Sequence, residues 1–188
     1  MIGLFFGSFN PIHKGHISVA RAALDSSALA EIWFVVSPRN PFKNDKELAP
    51  IEHRVEMLRG ALLDEPRMKC SDIELTLPTP SYTATTLDHL KVLHPDVEFV
   101  LIVGWDTYLS MPHWHRSEEV MKHKKIIYPR KHDEAHPSPT ITGGILLNQP
   151  LLDISATDVR RKIGRGESCV SELETHTIMY IEDNRLYH

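Results

Sequence analysis

The sequence has few cysteines, no long apolar run and no excess of positive charge. Only two cysteines occur among 188 residues, Cys70 and Cys169, and they lie far apart without CxxC spacing. Neither a disulfide framework nor a cysteine zinc site is therefore predicted. No apolar run approaches the roughly 20 residues that a membrane-spanning helix needs, and residues 1–6 lack a basic leader. We expect a cytoplasmic protein, neither secreted nor inserted in a membrane.

Charge and length limit the class of protein further. The formal net charge of -4 argues against a protein that binds nucleic acid by bulk electrostatics, although a local group of basic side chains can still attract a nucleotide. A chain of 188 residues is long enough for one α/β domain with a full core and short for two. Residues 1–188 are therefore predicted to form a single domain.

Short apolar runs alternate with segments of helical spacing. The predicted strands are residues 2–6, 31–37, 98–103, 125–128 and 145–147. Between them, Ile51, Val55 and Leu58 share one helical face, and residues 84–91 have a similar pattern. This alternation predicts an α/β fold with a Rossmann-like, doubly wound parallel sheet and flanking helices in three layers. In such sheets, ligands bind beyond the carboxyl ends of the strands.

The first strand leads directly into a glycine-containing turn, residues 7–16, with the sequence GSFNPIHKGH. Gly7 permits close approach of the backbone, and the N–H groups at the start of the next helix favour a bound polyphosphate. His13 and His16 are three residues apart, so both rings project to the same side and can donate hydrogen bonds to phosphate oxygens. His-x-x-His alone is more typical of surface histidines, and the string matches neither the P-loop nor the GxGxxG pattern.

A second candidate phosphate site lies at residues 154–162, with the sequence ISATDVRRK. Ser155 can cap a helix and Asp158 can reciprocate three residues later, which by itself indicates only a capping box. The basic run that begins at Arg160 follows one turn inside the helix, whose N-terminus already attracts anions. This combination favours a phosphate site.

The first turn resembles the extended (T/H)xGH signature of the nucleotidyltransferase superfamily, and residues 13–16, HKGH, satisfy its core. Ser8 stands at the position of the commoner second glycine, and Asn10 at that of the commoner aspartate. Both replacements keep hydrogen-bonding capacity. The resemblance implies ATP contacts for Gly7, Ser8, Phe9, His13 and His16.

Residues 154–162 resemble the ISSTxxR motif of the same superfamily. The resemblance implies that Ser155, Thr157 and Arg160 hold the outer phosphates of ATP. Ala156 departs from the second serine of the motif, so one hydroxyl contact is expected to be missing or to come from backbone.

The middle of the chain narrows the resemblance. Residues 81–87, SYTATTL, resemble the SYTxxTL segment of bacterial nicotinate-mononucleotide adenylyltransferases. Gly104 and Asp106, followed by Trp114, resemble their GxD...W segment. The similarity extends over essentially the whole chain and implies adenylyl transfer from ATP to nicotinate mononucleotide, with deamido-NAD and pyrophosphate as products in NAD biosynthesis.

The acceptor and ribose contacts follow from the same resemblance, and each has a structural alternative. An indole such as Trp114 can stack on a pyridine ring, and Tyr82 and Thr83 can receive the ring carboxylate. Gly104 and Asp106 are placed beside ATP, with Asp106 on ribose hydroxyls. Alternatively, Tyr82 and Thr83 only start a helix, Trp114 only packs, and Asp106 caps the next helix.

Three further basic residues are candidates. The family commonly has a PxxxPHK segment after the second strand, and here Phe42 stands at the histidine position while Lys43 is retained. Lys43 is assigned to phosphate and acceptor contact, with a solvated loop lysine as the alternative. Arg54 is predicted to face the acceptor, and Arg130 resembles an arginine near ATP. Arg130 begins a polar stretch, residues 130–144, that is predicted to be a mobile surface loop.

No protein metal site is predicted. His113 with His115, and His132 with His136, occur in predicted loops without cysteine or clustered carboxylates, which is a poor zinc pattern. Mg²⁺ is instead expected to accompany ATP as the cofactor, because it keeps much of its water and is held largely by substrate phosphates.

The expected reaction is an in-line attack of the mononucleotide phosphate on the α-phosphorus of ATP, without a covalent enzyme intermediate. The catalytic residues would stabilise charge on the α-phosphate and on pyrophosphate. They are His13, His16, Lys43 and Arg160. The expected partners are ATP and nicotinate mononucleotide, with neither nucleic acid nor a membrane, and a homo-oligomer stays open.

Two rival functions stay open beside this one. The first is adenylyl transfer to nicotinamide mononucleotide or to phosphopantetheine. The second is a non-catalytic nucleotide-sensing module, which the intact residues His13, His16 and Arg160 disfavour.

Overall fold

The computed structural model describes residues 1–38, 48–129, 143–147 and 154–188. The strands in these ranges are β1 (Ile2–Gly7), β2 (Glu31–Val36), β3 (Met68–Ser71), β4 (Phe99–Gly104), β5 (Lys125–Tyr128) and β6 (Gly144–Leu146). The α-helices are α1 (Lys14–Asp25), α2 (Ile51–Ala61), α3 (Thr83–Leu93), α4 (Trp105–Ser110), α5 (Ser117–Lys122), α6 (Ala156–Gly164) and α7 (Thr175–Asp183). Short 3₁₀ helices span Ile73–Thr76 and Met111–His113.

The strands form one parallel sheet in the order β3-β2-β1-β4-β5-β6. The chain runs outward from β1 to β3 and then returns to the other side of β1 with β4. This reversal confirms the doubly wound topology. It also places the switch point between β1 and β4, where a ligand is expected at the carboxyl ends of the two strands.

Both faces of the sheet are buried, because successive side chains in a strand point to opposite sides. On one face, Phe5 belongs to a core cluster that includes residues of α1, α2, α6 and α7. On the other face, the neighbouring Leu4 packs in a second cluster with residues of α3 and α5. The helices therefore cover the sheet from both sides, which confirms the predicted three-layer architecture.

Each of the five strands predicted from sequence is present, with ends that agree within one residue. Strand β3 was not predicted. It is only four residues long and lies at the edge of the sheet. Met68 alone in it is buried, while Lys69 is exposed and pairs with Glu31 of β2. A short edge strand with one buried side chain has too little hydrophobic pattern to be recognised.

No helix within the described ranges is both long enough and apolar enough to cross a membrane.

Candidate active site

The turn after β1 is shaped by the contact between Gly7 and Phe9. Phe9 is 2% exposed and has a positive φ of 44°. Its ring lies against Gly7 so closely that a Cβ atom on Gly7 would stand 2.8 Å from two ring carbons. A glycine is therefore required at the end of β1 by close packing, and the turn brings its backbone to the carboxyl edge of the sheet.

His13 and His16 meet at the start of α1, as their spacing predicts. His13 is the residue before the helix, is 6% exposed and has extended backbone dihedral angles. The two rings are stacked, with 3.7 Å between their centroids and 26° between their planes. Both imidazoles therefore project to the same side of the helix start.

The hydrogen bond within this pair defines the tautomer of His16. The backbone N–H of His13 donates to Nδ1 of His16 over 3.3 Å, so Nδ1 is the unprotonated nitrogen. In a neutral ring, the proton then lies on Nε2. Edge-to-face contacts with Phe5 and Phe9, with centroid distances of 5.9 and 5.2 Å, fix the plane of this ring. His16 is thus held as an Nε2–H donor.

Asn10 connects the turn to three distant parts of the chain. Its side-chain oxygen accepts hydrogen bonds from the Ala49 N–H (3.0 Å) and from the Tyr187 hydroxyl (2.8 Å). Its backbone carbonyl accepts a hydrogen bond from Nη1 of Arg160, 2.9 Å away. Asn10 itself is 3% exposed. The two motifs predicted to handle phosphate therefore meet at this residue, although they are 150 positions apart in sequence.

Arg54 supports the turn from inside the protein. It is 2% exposed, and its guanidinium donates to the backbone carbonyls of Ser8 (2.8 Å), Ser37 (2.9 Å), Pro38 (3.1 Å) and Ala49 (3.0 Å). A substrate contact at this guanidinium would compete with these backbone bonds. Arg54 thus ties the turn after β1 to the turn after β2, and its predicted acceptor contact stays a prediction.

At α6 the predicted capping box is wrong. Ser155 is the residue before the helix, but its hydroxyl makes no capping hydrogen bond within the described residues. Asp158 pairs instead with Arg161, with 3.2 Å between Oδ1 and Nη1. An ion pair one turn along the helix removes the carboxylate from the cap. Ser155 and Thr157 are both exposed, so their hydroxyls lie at the surface beside Arg160.

The segment that precedes α7 joins α1 to α6 behind the site. The backbone N–H of Lys14 donates to the Glu172 carbonyl over 2.8 Å, and Nζ of Lys14 donates to the Val170 carbonyl over 2.8 Å. The Glu172 carboxylate pairs with Lys162 of α6, and this ion pair lowers the pKa of Glu172, mainly through the hydrogen bond from Lys162. Lys14, between the two histidines in sequence, is thus engaged away from them.

The end of β4 forms the second edge of the site. A Cβ atom on Gly104 would stand 2.8 Å from Oδ1 of Asp106 and 3.3 Å from the Tyr128 ring, so a side chain at this position would collide with both. Asp106 is exposed in the first turn of α4. Its Oδ1 accepts a hydrogen bond from the Thr107 N–H over 2.8 Å, while Gly104 occupies the cap position itself.

The predicted acceptor residues lie around the starts of α3 and α5. Tyr82 precedes the first residue of α3, Thr83, so these residues do begin a helix. Trp114 is half-buried and donates from Nε1 to the Ser110 hydroxyl over 3.3 Å. The Tyr82 ring lies 4.6 Å from the ring of His115. This contact was not predicted. It places His115, and with it the neighbouring Trp114, close to the start of α3.

Glu74 was not among the residues predicted to lie at the site. It lies in the 3₁₀ helix after β3, is 2% exposed, and its Oε1 accepts a hydrogen bond from the Thr86 hydroxyl of α3 over 2.8 Å. Burial raises the pKa of this carboxyl, while the hydrogen bond from Thr86 opposes the rise. Glu74 therefore holds the first turn of α3 in place through Thr86. A lone glutamate in a short irregular segment carries no sequence pattern that would have identified this role.

Several predictions lie outside the described residues. Lys43 and Arg130 are among them, as are Phe42, His132 and His136. Within the part of the chain that is described, no group of three or more His, Cys, Asp or Glu side chains is arranged to hold a metal ion.

Comparison with protein families defines the class of this fold and site. Residues 4–162 match the model of the family described as "Cytidylyltransferase-like". The matched region includes both phosphate motifs, β1 from Leu4 onward and the other five strands. The protein is therefore a nucleotidyltransferase of the cytidylyltransferase-like class.

Individual relatives narrow the class. A protein of Bacteroides fragilis named "Probable nicotinate-nucleotide adenylyltransferase" is 39% identical over 166 residues, which cover 88% of this chain and 83% of the relative. A protein of Flavobacterium johnsoniae with the same name is 37% identical over 99% of this chain and 98% of its own length. The chain belongs to the nicotinate-nucleotide adenylyltransferases.

A solved structure confirms the fold. The nicotinic acid mononucleotide adenylyltransferase of Plasmodium falciparum, in complex with NaAD, superimposes with a TM-score of 0.83 at 24% sequence identity. The superposition covers 99% of this chain and 96% of the other. The two proteins thus share the three-layer fold although most of their residues differ.

Proposed function

We propose that this enzyme transfers the adenylyl group of ATP to nicotinate mononucleotide at the carboxyl ends of β1 and β4, and that the residues described above perform the transfer. The observation that carries the proposal is the hydrogen bond from Arg160 Nη1 to the Asn10 carbonyl, 2.9 Å long. It brings the cation of the distal motif to the turn that presents His13 and His16. Two sets of N–H donors thus converge where a polyphosphate would lie.

In the proposed reaction, an oxygen of the mononucleotide phosphate attacks the α-phosphorus of ATP. The bond from that phosphorus to the bridging oxygen of the β-phosphate breaks, and pyrophosphate leaves. The attacking phosphate is already anionic at neutral pH, so positioning and charge stabilisation matter more than a general base. We assign His16 Nε2–H, with His13 beside it, to the α-phosphate and Arg160 to the leaving pyrophosphate. Lys43, outside the described residues, is proposed to assist them.

The remaining nucleotide contacts are assigned from the positions of the residues at the ends of β1 and β4. The backbone of Gly7, Ser8 and Phe9 lines the turn, and Gly104 leaves room at the end of β4. Asp106, exposed beside it, is proposed to receive the ribose hydroxyls, and Arg130 is proposed to lie near ATP. The exposed hydroxyls of Ser155 and Thr157 are proposed to contact the outer phosphates, and Ser155 makes no capping hydrogen bond within the described ranges.

The acceptor is proposed to bind between α3 and Trp114. The first N–H groups of α3 follow Tyr82, whose side chain makes no cap hydrogen bond within the described part of the chain. Such N–H groups and the helix dipole favour an anion, which suits the carboxylate of the nicotinate ring. Trp114 supplies an aromatic face for the pyridine ring.

Mg²⁺ is proposed to enter with ATP. The side chains nearest the phosphate turn are nitrogen donors, which suit phosphate oxygens rather than a hard cation. Mg²⁺ would be held largely by the phosphates of ATP and by its own water. When bound, the ion would neutralise charge on the phosphates. The predicted cytoplasmic location, like the single domain, stays a prediction.

The substrate assignment is tested by a competition between two acceptors. Purified protein is incubated with ATP, Mg²⁺ and equal amounts of nicotinate and nicotinamide mononucleotide, and the dinucleotides and pyrophosphate are measured. Deamido-NAD is the expected main product. Formation of NAD alone would overturn the acceptor assignment, and absence of pyrophosphate with either acceptor or with phosphopantetheine would leave only a nucleotide-sensing module.

A further inference from the structure

Tyr187, at the far end of the chain from the phosphate turn, reaches into that turn. Its hydroxyl donates to Oδ1 of Asn10 over 2.8 Å, across 177 positions of sequence. Burial raises the pKa of this phenol well above its ordinary value, so the hydroxyl is protonated and remains a donor at neutral pH. Tyr187 has no role in the proposed reaction itself.

The backbone around Tyr187 holds its ring in this place. The N–H of Leu186 donates to the Ile181 carbonyl of α7 over 3.0 Å, and Leu186 and Tyr187 both pack against the buried core. The Tyr187 carbonyl lies 3.4 Å from where a Cβ atom on Gly164 would stand, so the same residue also lies beside the end of α6. Tyr187 thus donates to the phosphate turn and lies beside the end of the helix that carries Arg160.

Asn10 links Tyr187 to Arg160, because it accepts hydrogen bonds from both. Its side-chain oxygen accepts from both Tyr187 and the Ala49 N–H, while its carbonyl accepts from Arg160. Loss of the phenol hydroxyl would remove one of the donors that fix the Asn10 amide. The orientation of the Asn10 carbonyl, and with it the guanidinium of Arg160, would then be less restricted.

We propose that Tyr187 is a positioning residue for the ATP phosphates, acting through Asn10 on Arg160. The proposal rests on the proposed function of Arg160. It predicts that the hydroxyl of Tyr187 matters for ATP and not for the acceptor, because the acceptor residues lie at α3 and Trp114.

The test is Tyr187→Phe, which keeps the packed ring and removes only the hydroxyl. The kcat/KM for ATP is expected to fall about tenfold, equal to about 1.4 kcal/mol, the scale of one hydrogen bond. The KM for nicotinate mononucleotide should change less than about twofold. The matched control is Tyr180→Phe, since the Tyr180 hydroxyl shares a 3.0 Å hydrogen bond with Nδ1 of His53 in the same C-terminal region. Its kinetic constants should stay near those of the unsubstituted enzyme.

A double-mutant cycle with Asn10→Ala identifies the route of the effect. If Tyr187 acts through Asn10, Tyr187→Phe should cost almost nothing further in the Asn10→Ala background. Additive losses, unchanged kinetics in Tyr187→Phe, or equal losses in Tyr187→Phe and Tyr180→Phe would each overturn the proposal. The last outcome would mean that both hydroxyls serve only the general stability of the fold, which thermal unfolding of the two variants would report.

Failure of the proposed function can be distinguished from failure of this proposal. Calorimetric titration with ATP and Mg²⁺ measures the phosphate site without an acceptor. If the unsubstituted protein binds ATP but transfers nothing, the reaction is wrong and the effect of Tyr187→Phe on ATP affinity still decides the role of Tyr187. If transfer is normal and ATP affinity and kcat/KM are both unaffected in Tyr187→Phe, only the positioning role fails.

Discussion

The two sides of the site are built differently. On the donor side, which comprises residues 7–16 with Arg54 and Arg160, the turn is held by buried groups from several parts of the chain. Asn10 and Arg54 are 3% and 2% exposed. On the acceptor side, which comprises Tyr82, Thr83 and Trp114, the side chains are half-buried, and the Trp114 indole donates to Ser110, four positions away.

This difference has a physical meaning for the two substrates. A polyphosphate carries a high charge that must be met by donors already in place, because reorientation during the reaction is costly. A flat pyridine ring can be bound by an aromatic face whose final position is set when the ligand arrives. Substitutions on the donor side should therefore affect turnover or folding, and substitutions on the acceptor side should affect the KM of one substrate.

The largest effect is expected for His16→Ala. Removing a donor to the transition state typically reduces kcat by about a hundred- to a thousandfold, whereas ATP affinity should change by only a few fold. Steady-state kinetics and calorimetric titration with ATP measure the two quantities. Lys14→Ala is the matched control, because the Lys14 side chain donates to the Val170 carbonyl and not to the phosphate turn. Near-normal turnover in His16→Ala would remove His16 from the mechanism.

Arg54→Lys should give the next largest effect, on stability. A lysine carries one nitrogen and cannot replace a guanidinium that binds four backbone carbonyls. Buried carbonyls left without a donor should lower the free energy of unfolding by about 2–4 kcal/mol. Urea denaturation measures the loss. Arg59→Lys on the same helix is the control, since the Arg59 side chain is 54% exposed and pairs with Glu56 at the surface, a contact worth at most about 1 kcal/mol. Equal stability of the two variants would contradict the supporting role.

The residues in these two predictions differ in how far their roles can be predicted from the sequence. The spacing of His13 and His16 is local, so helical geometry alone predicts that the rings meet. The alternation of apolar runs likewise predicts the sheet and its layers. The partners of Arg54 are backbone carbonyls of three separate turns, and those of Asn10 include Tyr187. Contacts between backbone atoms and distant side chains leave no spacing or composition signal, and the structure alone reveals them.

The acceptor side offers the next test, Trp114→Ala. Loss of an aromatic stacking partner costs about 1–3 kcal/mol for a nucleobase, so the KM for nicotinate mononucleotide should rise about tenfold or more. Trp114→Phe keeps an aromatic face and should recover most of the affinity. The KM for ATP should be nearly unchanged in both variants. An equal rise in the KM of both substrates would break the proposed division between the two sides.

Glu74→Gln should give the smallest effect and a distinct dependence on pH. Because burial raises the folded-state pKa of Glu74 above its ordinary value of 4.5, the folded protein binds more protons than the unfolded chain between the two values. Stability from this group is therefore full below the ordinary pKa and falls as pH rises through the raised one. Glutamine cannot ionise, so the fall should be absent in the variant.

The pH effect is measured as the difference in Tm between the two proteins from about pH 4 to about pH 8. The variant should gain on the unsubstituted enzyme as pH rises, by about 3 °C or less. Thr86→Val is a useful companion, because it removes the hydroxyl that donates to Glu74 and should lower stability at every pH. A constant difference between Glu74→Gln and the unsubstituted enzyme would contradict the raised pKa.

The stereochemical course at the α-phosphorus tests the central claim most directly. The donor side is proposed to hold ATP for a direct in-line attack, with no side chain forming a bond to phosphorus. One stereoisomer of α-thio-ATP is allowed to react with nicotinate mononucleotide, and the configuration at phosphorus in the dinucleotide is determined by phosphorus NMR. Inversion is expected from a single in-line displacement. Retention would require two displacements and a covalent enzyme intermediate, which would contradict the roles assigned to His13, His16 and Arg160.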